Sequence, residues 1–180
     1  MKYIFVDTET TGLPKNKYAS YKDTENWPRM VQIAWLVYED KKLKASHCYI
    51  IRPNGFSIPE QSVDIHGITT EIAIQKGKSI NDVLALFAED CKSANNIIGH
   101  NIDFDLNVIQ SEYFRLGIEN VFSKIRKYDT AQMALDYCRI SYGDKYRYPQ
   151  LSELYQKLFS RSFDNAHDAM ADIKATAKCF

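Results

Sequence analysis

The stretch from Tyr3 to Leu13 reads YIFVDTETTGL, and the rest of our structural prediction is built around it. Its first residues, Tyr3 to Val6, form a short apolar run of strand formers, which is typical of a central strand buried on both faces. Asp7 and Glu9 follow, and period-two geometry places both carboxylates on the same face. Two such charges beside an apolar core are costly unless a cation neutralises them, and all-oxygen ligands favour Mg²⁺ or Mn²⁺ over zinc.

Taken alone, this acidic triplet favours a simpler interpretation, which is a solvated strand end with ordinary acids. An Asp-x-Glu pair occurs often by chance. Thr10, Thr11 and Gly12 shift the balance a little, because hydroxyl groups and a glycine turn offer donors for a phosphate or a sugar. The triplet therefore needs partners elsewhere in the chain before it indicates a metal site.

Further strands are predicted from the local pattern. Residues 30–38 and 43–51 are strand-like and flank the charged turn 39–42, which predicts an antiparallel hairpin. Residues 96–99 form another short buried strand, whereas residues 12–28 are polar and contain glycine and proline, which favours a surface loop.

Helices are predicted from apolar spacing and capping residues. Ser79 caps a helix with an apolar stripe made by Val83, Leu84, Leu86 and Phe87. A second helix covers 104–116, with Gly117 as its stop. Three more are expected at 130–139, at 152–159 with Ser152 as cap, and from about 166 to the C-terminus. Without repeats or linkers, these elements predict one α/β domain over residues 1–180 with a mixed sheet.

Composition excludes several classes of protein. The chain is 45% hydrophobic and 26% charged, which is near the average for globular domains and argues against disorder. Basic and acidic residues both number 23, so any nucleic-acid contact must be local or metal-mediated. The four cysteines form no C-x-x-C pair, and there is neither a signal-peptide core nor an apolar run of ~20 residues. We therefore expect a cytoplasmic protein with no membrane partner.

Two later segments also gather acids. Residues 99–105 follow a predicted buried strand, at the kind of strand end where α/β sheets bind ligands. Either Asp103 or Asp105 can be the ligand, since either can instead cap the following helix.

The second acidic segment is 164–172, where a helix begins. Asp168 and Asp172 share a helix face, and the residues alone leave them equal as ligands. His167 lies beside them and suits a general base, although a lone histidine is more often structural. Jointly, the three segments predict a carboxylate cluster that holds two cations about 4 Å apart.

These segments, in this order, resemble the three motifs of the DEDDh 3′→5′ exonucleases, the family of the proofreading epsilon subunit of bacterial DNA polymerase III. Residues 6–13 resemble the first motif, His100-Asn101-x-x-Phe104-Asp105 the second, and His167-Asp168-Ala169-x-x-Asp172 the third. The stretches 65–69 and 128–130 also agree with the family pattern. The resemblance selects Asp105 over Asp103, and it makes Asp168 a residue at the start of the helix.

The resemblance implies a ribonuclease H-like fold with a mixed five-stranded sheet, in which strands 1–3 are antiparallel and strands 4–5 are parallel to the first. It implies two Mg²⁺ or Mn²⁺ ions held by Asp7, Glu9, Asp105 and Asp172, with Asp7 bridging them and His167 as the base. The residues expected to bind substrate are Thr10, His66, Asn101 and Phe104.

The implied reaction releases 5′-mononucleotides from single-stranded 3′ ends, with DNA favoured over RNA, and the implied partner is a DNA polymerase subunit. The alternatives are an RNA-trimming exoribonuclease, an endonuclease of similar fold, and a non-catalytic module that binds nucleic acid or docks on a polymerase.

Overall fold

The computed structural model describes residues 1–119, 122 and 124–180. Five strands form the main sheet: β1 (Lys2–Thr10), β2 (Met30–Glu39), β3 (Lys42–Ile50), β4 (Asn96–Gly99) and β5 (Arg126–Asp129). Two short strands, β6 (Ile140–Tyr142) and β7 (Lys145–Arg147), form a separate hairpin. The helices are α1 (Glu60–His66), α2 (Thr70–Lys76), α3 (Ile80–Cys91), α4 (Ile102–Arg115), α5 (Thr130–Met133), α6 (Leu135–Cys138), α7 (Leu151–Phe159) and α8 (Ala169–Cys179).

The main sheet has the strand order β3-β2-β1-β4-β5. β1 pairs antiparallel with β2, and β2 pairs antiparallel with β3. On the other side β1 pairs parallel with β4, and β4 pairs parallel with β5. The predicted mixed sheet of ribonuclease H-like type is confirmed.

Alternation along β1 assigns its residues to two faces of the sheet. Ile4 and Val6 pack in the larger core together with α3 and α4. Phe5 packs in a second core with Ala169 and Ile173 of α8. The sheet therefore lies between helical layers, and the period of two continues the Phe5 face through Asp7 and Glu9.

The hairpin between β2 and β3 is confirmed. Asp40 and Lys41 form its tip with φ values of 49° and 64°. Two-residue turns with positive φ at both positions match the twist of antiparallel strands. The predicted strand at 96–99 and the loop between β1 and β2 are also present.

Several predicted boundaries were wrong. β1 continues to Thr10, because its second half pairs with β2, so Asp7 and Glu9 lie within the strand and not after it. The helix predicted at 130–139 is interrupted at Ala134 (φ −90°, ψ 0°), where Ala134 and Cys138 pack against Leu154.

Three helix predictions need correction in their start, their cap or their apolar stripe. α7 begins at Leu151 and is capped by Gln150, which exchanges hydrogen bonds with Glu153 in a capping box, so Ser152 is not the cap. α8 begins at Ala169 instead of about 166, because His167 has the left-handed φ of 70°. In α3, Ser79 occupies the N-cap position without a side-chain bond, and Leu86 is exposed.

The pattern analysis missed five short elements, α1, α2, β5, β6 and β7, and the fifth strand of the sheet was implied only by the family resemblance. Each has seven residues or fewer, too short for a periodic signal to stand out. Within the described ranges, no helix combines the length and apolar character that crossing a bilayer requires.

Candidate active site

Three carboxylates from two distant parts of the chain meet at the C-terminal end of the central strand β1. Asp7 and Glu9 project from β1, and Asp172 lies in the first turn of α8. One oxygen from each side chain lies within 4.8 Å of the others. Because α8 packs on the Phe5 face of β1, its first turn reaches the two acids that continue this face.

The fourth predicted ligand, Asp105, is not in this group of three. It is a buried residue of α4, and its Oδ1 accepts hydrogen bonds from the Thr8 amide (2.9 Å) and the Thr8 hydroxyl (2.7 Å). The register of β4 along β1 ends at Phe5, so the edge of β1 beyond it is open to Asp105. Asp105 is thus fixed beside the acidic pair and bonded to the residue between them.

The start of α8 positions Asp172. Its Oδ2 accepts a hydrogen bond from the backbone amide of His167 at 3.1 Å. Its Oδ1 is buried and has no hydrogen-bond partner in the part of the chain that the structure describes. Asp168 caps α8 by accepting from the Ala171 amide at 2.9 Å, which confirms its predicted place at the helix start.

Burial and mutual repulsion perturb the acids of β1. The pKa of Asp7 is raised well above its ordinary value, first by burial and then by the charges of Asp105, Asp172, Glu9 and Asp168. The pKa of Glu9 is raised to about 8 by burial, followed by the charges of Asp172, Asp105 and Asp168. The charged forms of both acids are therefore disfavoured unless positive charge is brought in.

The two acids from the helices are perturbed less, because hydrogen bonds stabilise their charged forms. Burial raises the pKa of Asp105 to about 7, against the lowering effect of the two bonds from Thr8. Burial raises the pKa of Asp172 to about 6, against the amide and the imidazole of His167. Perturbed acids gathered at one place in a fold are the usual mark of a functional site.

Other acids nearby have structural partners. Asp103 lies at the surface and forms an ion pair with Lys127. Asp129 caps α5 through the Ala131 amide, at 2.9 Å, and it also accepts from the Asn101 amide at 2.9 Å. Of the two acids that the residues alone left open, Asp105 and not Asp103 is therefore the one turned toward the cluster.

A cleft of about 900 Å³ opens beside Asp172 at this end of the sheet. His167 and Asp172 line one side, His100 and Asn101 lie at the start of α4, and Tyr148 follows β7. The side chain of His167 is exposed in this cleft. The acids therefore lie beside a cavity large enough for a mononucleotide-sized ligand.

The residues present fit divalent cations. The group of three offers only carboxylate oxygens, one of them the buried, unpartnered Oδ1 of Asp172. The pKa of Glu9 is raised first by burial and then by the neighbouring negative charges, both of which a bound cation would offset. Hard oxygen donors of this kind suit Mg²⁺ or Mn²⁺.

A family model described as exonuclease (RNase_T) matches residues 4–180, nearly the whole chain. The chain belongs to this exonuclease family. The resemblance of the three acidic motifs to the DEDDh 3′→5′ exonucleases is confirmed by this match.

Two relatives are named as DNA polymerase III proteins. The PolC-type DNA polymerase III of Lacticaseibacillus paracasei is 26% identical over 175 residues, which cover 97% of this chain and 11% of that protein. The DNA polymerase III subunit epsilon of Buchnera aphidicola is 25% identical over 181 residues, covering 98% of this chain and 70% of that subunit. The chain spans about a ninth of the PolC-type relative.

Solved structures of an exonuclease share the fold. Exonuclease I of E. coli in complex with a dT13 oligonucleotide superposes with a TM-score of 0.77 at 22% identity, covering 98% of this chain and 39% of that one. The same enzyme with a dA16 oligonucleotide gives the same TM-score. At this identity, the likeness establishes the fold of the exonuclease domain.

The four residues expected to bind substrate lie in different surroundings. The Thr10 hydroxyl is used inside its own turn, donating to the Gly12 carbonyl at 2.7 Å. Asn101 is exposed on a left-handed backbone (φ 64°) and lines the cleft, and Phe104 lines a neighbouring one. His66 accepts from the Ile68 amide through Nδ1, and its buried Nε2 has no partner within the described residues.

Sequence reasoning missed the role of Thr8, the middle residue of the Asp-Thr-Glu triplet. Period-two geometry already directs its side chain away from the acids, toward the face that α4 covers. A hydroxyl on that face was the available signal. Sequence reasoning also missed the role of His100. Its ring lies between the Thr130 hydroxyl at 3.0 Å and the Pro149 carbonyl at 2.9 Å, so this histidine has a structural role.

Proposed function

We propose that this chain is a divalent-metal-dependent 3′→5′ exonuclease that removes 5′-mononucleotides from single-stranded nucleic acid, with DNA favoured. The observation that carries the proposal is the convergence of Asp7, Glu9 and Asp172 within 4.8 Å, in a chain whose residues 4–180 match the exonuclease family. The reaction is hydrolysis of the terminal phosphodiester bond by water.

Asp7, Glu9 and Asp172 would hold the cations, with Asp105 completing the set from the α4 side. Bound there, two Mg²⁺ or Mn²⁺ ions supply Lewis-acid chemistry that acidifies water and stabilises a leaving 3′ oxygen. The chain itself supplies a rigid frame for this purpose, because each acid is on a helix or strand and Asp105 is fixed by Thr8.

His167 is the proposed general base. Its side chain is exposed at the edge of the cleft, and its backbone amide bonds Asp172, which ties the imidazole to the acid cluster. The left-handed backbone at His167, just before the α8 cap, directs the residue out of the helix. Proton removal from water by such a group contributes about 10²–10⁴-fold to the rate.

The terminal nucleotide is proposed to contact Asn101, Phe104 and His66. The exposed Asn101 amide can donate to a phosphate or sugar, and the ring of Phe104 offers a face for stacking. His66 is half-buried beside the backbone of Thr10, which places it next to the end of β1. Thr10 is proposed to act through the turn that its hydroxyl closes with Gly12.

The cellular setting is proposed from the relatives and from the cysteines. The relatives named as a DNA polymerase III and as its epsilon subunit support a DNA substrate and a DNA polymerase as partner. Four free cysteines fit a reducing compartment such as the cytoplasm.

The test is hydrolysis of matched single-stranded DNA and RNA carrying a 5′ label, with Mg²⁺ and with EDTA. We expect a ladder shortened one nucleotide at a time, faster on DNA, and no cleavage in EDTA or with Asp172→Asn. Asp82→Asn, an exposed acid on α3, is the control with normal activity. Internal fragments indicate an endonuclease, faster RNA trimming indicates an exoribonuclease, and binding without cleavage indicates a non-catalytic module; each refutes the proposal as stated.

The role of His167 is tested with His167→Ala. Turnover should fall by about 10²–10⁴-fold while Mg²⁺ still raises the thermal midpoint as in the wild type. Loss of the Mg²⁺ response would make His167 part of the metal site instead, and unaltered turnover would remove it from the mechanism.

A further inference from the structure

A second cleft, of about 710 Å³, adjoins the cleft that holds His167 and Asp172. The two clefts share four lining residues: Leu13, Asn101, Asp103 and Tyr148. A polymer whose end lies at the acids can therefore continue from the first cleft into the second. A mononucleotide does not need this additional space.

Basic and aromatic side chains line the second cleft. Lys15, Lys17 and Tyr18 come from the loop between β1 and β2, and all three are exposed. Lys17 Nζ lies 5.0 Å from the centroid of the Tyr18 ring. Trp27 and Phe104 lie deeper in the cleft, with ring centroids 6.5 Å apart. Cationic groups interleaved with aromatic rings are the features that bind a single strand without regard to sequence.

The positive charge of this cleft is available to a ligand. Among the residues that the structure describes, neither Lys15 nor Lys17 forms an ion pair, and Asp103, the acid that lines the cleft, is paired with Lys127. The chain as a whole has a net charge of zero, so attraction of a phosphate backbone depends on local groups such as these.

The loop that carries these residues is held in place before any ligand binds. Asn26 Oδ1 accepts from the Asn16 amide at 2.7 Å, and Asn26 Nδ2 donates to the Asn16 carbonyl at 3.0 Å. Trp27 Nε1 donates to the Ser20 carbonyl at 3.1 Å, and Arg115 of α4 donates to the Trp27 carbonyl at 2.8 Å. A wall that is already ordered loses little entropy on binding.

We propose that the second cleft binds the part of a single-stranded nucleic acid that lies 5′ of the nucleotide being removed. Lys15 and Lys17 contact phosphates, and Tyr18 stacks on a base. This inference rests on the proposed function, because the 3′ end must lie at the acids for the rest of the strand to enter the second cleft.

The experiment compares kcat/KM for a 5′-phosphorylated dinucleotide and a dodecanucleotide. The wild type should prefer the longer strand. Tyr18→Ala should lower this preference about fivefold or more, since stacking on one aromatic ring is worth that much. Lys15→Gln with Lys17→Gln should also lower it, and should reduce the salt slope of log kcat/KM for the dodecanucleotide by about 1.4, or ~0.7 for each lost phosphate contact.

The matched control is Lys41→Gln with Lys42→Gln, two exposed lysines at the β2–β3 turn, which should leave preference and salt slope as in the wild type. An unaltered preference in the cleft variants overturns the inference. If the wild type hydrolyses neither substrate, the proposed function fails. Fluorescence anisotropy of a labelled dodecanucleotide in Ca²⁺ then measures strand binding by the second cleft independently of hydrolysis. Equal affinity of the cleft variants and the wild type overturns the inference.

Discussion

Thr8 lies between two acids of the site in sequence, yet its side chain is on the other face of β1. The Thr8 amide and the Thr8 hydroxyl both donate hydrogen bonds to Asp105. These bonds lower the pKa of Asp105, while burial raises it, and the balance is about 7. Thr8 is therefore a positioning residue that determines how much of Asp105 is charged near neutral pH.

Thr8→Val removes the hydroxyl bond and keeps the amide bond. The pKa of Asp105 should rise further, and the acid limb of the activity profile should move to higher pH by about 1–2 units, because a hydrogen bond to a charged group is worth ~1.5–3 kcal/mol. Activity measured from pH 5 to 9 gives the shift. Thr8→Ser keeps the hydroxyl and should keep the wild-type profile; a profile that Thr8→Val leaves in place contradicts the assigned role.

Asp7 experiences the charges of four other acids, so its own charge opposes folding in the absence of cations. Asp7→Asn should raise the thermal midpoint in EDTA at pH 8, by roughly 2–4 °C for each kcal/mol of repulsion removed. The same variant should lose most of the stabilisation by Mg²⁺. Calorimetry with and without Mg²⁺ measures both effects, with Asp82→Asn as control. A lower midpoint in EDTA together with a normal Mg²⁺ response would show that Asp7 is a structural acid.

At the scale of elements, α4 connects the site to the loop between β1 and β2. Its N-terminal half presents Asp105, and its C-terminal half presents Glu112, which is 1% exposed. Glu112 Oε1 accepts from Arg29 Nε at 2.8 Å and from the Met30 amide at 3.0 Å, and it pairs with Arg115 at 3.1 Å. One helix thus holds both an acid of the site and the wall of the second cleft.

Glu112→Gln leaves two arginines beside a neutral group in a buried network. The free energy of unfolding should fall by about 3–5 kcal/mol, because a buried pair has lost one charge. Trypsin should also cleave the loop at its lysines faster. Urea unfolding and limited proteolysis test this.

The control for the α4 anchor is Glu89→Gln, in which the acid of an exposed pair with Lys92 is neutralised. Its stability should stay within about 0.5 kcal/mol of the wild type. Equal effects of the two substitutions would show that Glu112 does not anchor the loop.

At the scale of the whole molecule, the acidic site makes stability depend on pH. The folded-state pKa values of Glu9 (about 8), Asp105 (about 7) and Asp172 (about 6) lie above ordinary carboxyl values. Between the ordinary and the raised values the folded state binds more protons than the unfolded state, so stability falls as pH rises. The lowered pKa values of His66 and His100 act in the opposite direction only below about 6.5.

In EDTA, the free energy of unfolding should therefore fall from pH 6.5 to pH 8. Saturating Mg²⁺ should remove this fall and raise the thermal midpoint by about 5–10 °C, since one ion at 100 times its Kd adds ~2.7 kcal/mol. Urea titrations at the two pH values, with and without Mg²⁺, measure it. A free energy of unfolding that rises with pH in EDTA would contradict the raised pKa values of these acids.

Local pattern was enough for much of the architecture. The apolar run from Tyr3 to Val6, the hairpin at 39–42 and the buried strand at 96–99 were each predicted from a few neighbouring residues, and the sheet has them in place. Period two also placed Asp7 and Glu9 on one face. These features follow from the backbone repeat and the partition of apolar side chains, which are both properties of short segments.

The remaining features depend on partners far along the chain. The local residues did not decide whether Asp103 or Asp105 belongs to the acidic site. The structure decides it, because Asp103 pairs with Lys127 at the surface and Asp105 bonds with Thr8, 97 residues away. The raised pKa values, the start of α8 and the two adjoining clefts likewise arise where separate elements pack. Burial and charge act through space, so a local repeat carries no information about which distant side chain will remove a group from water or stand beside its charge.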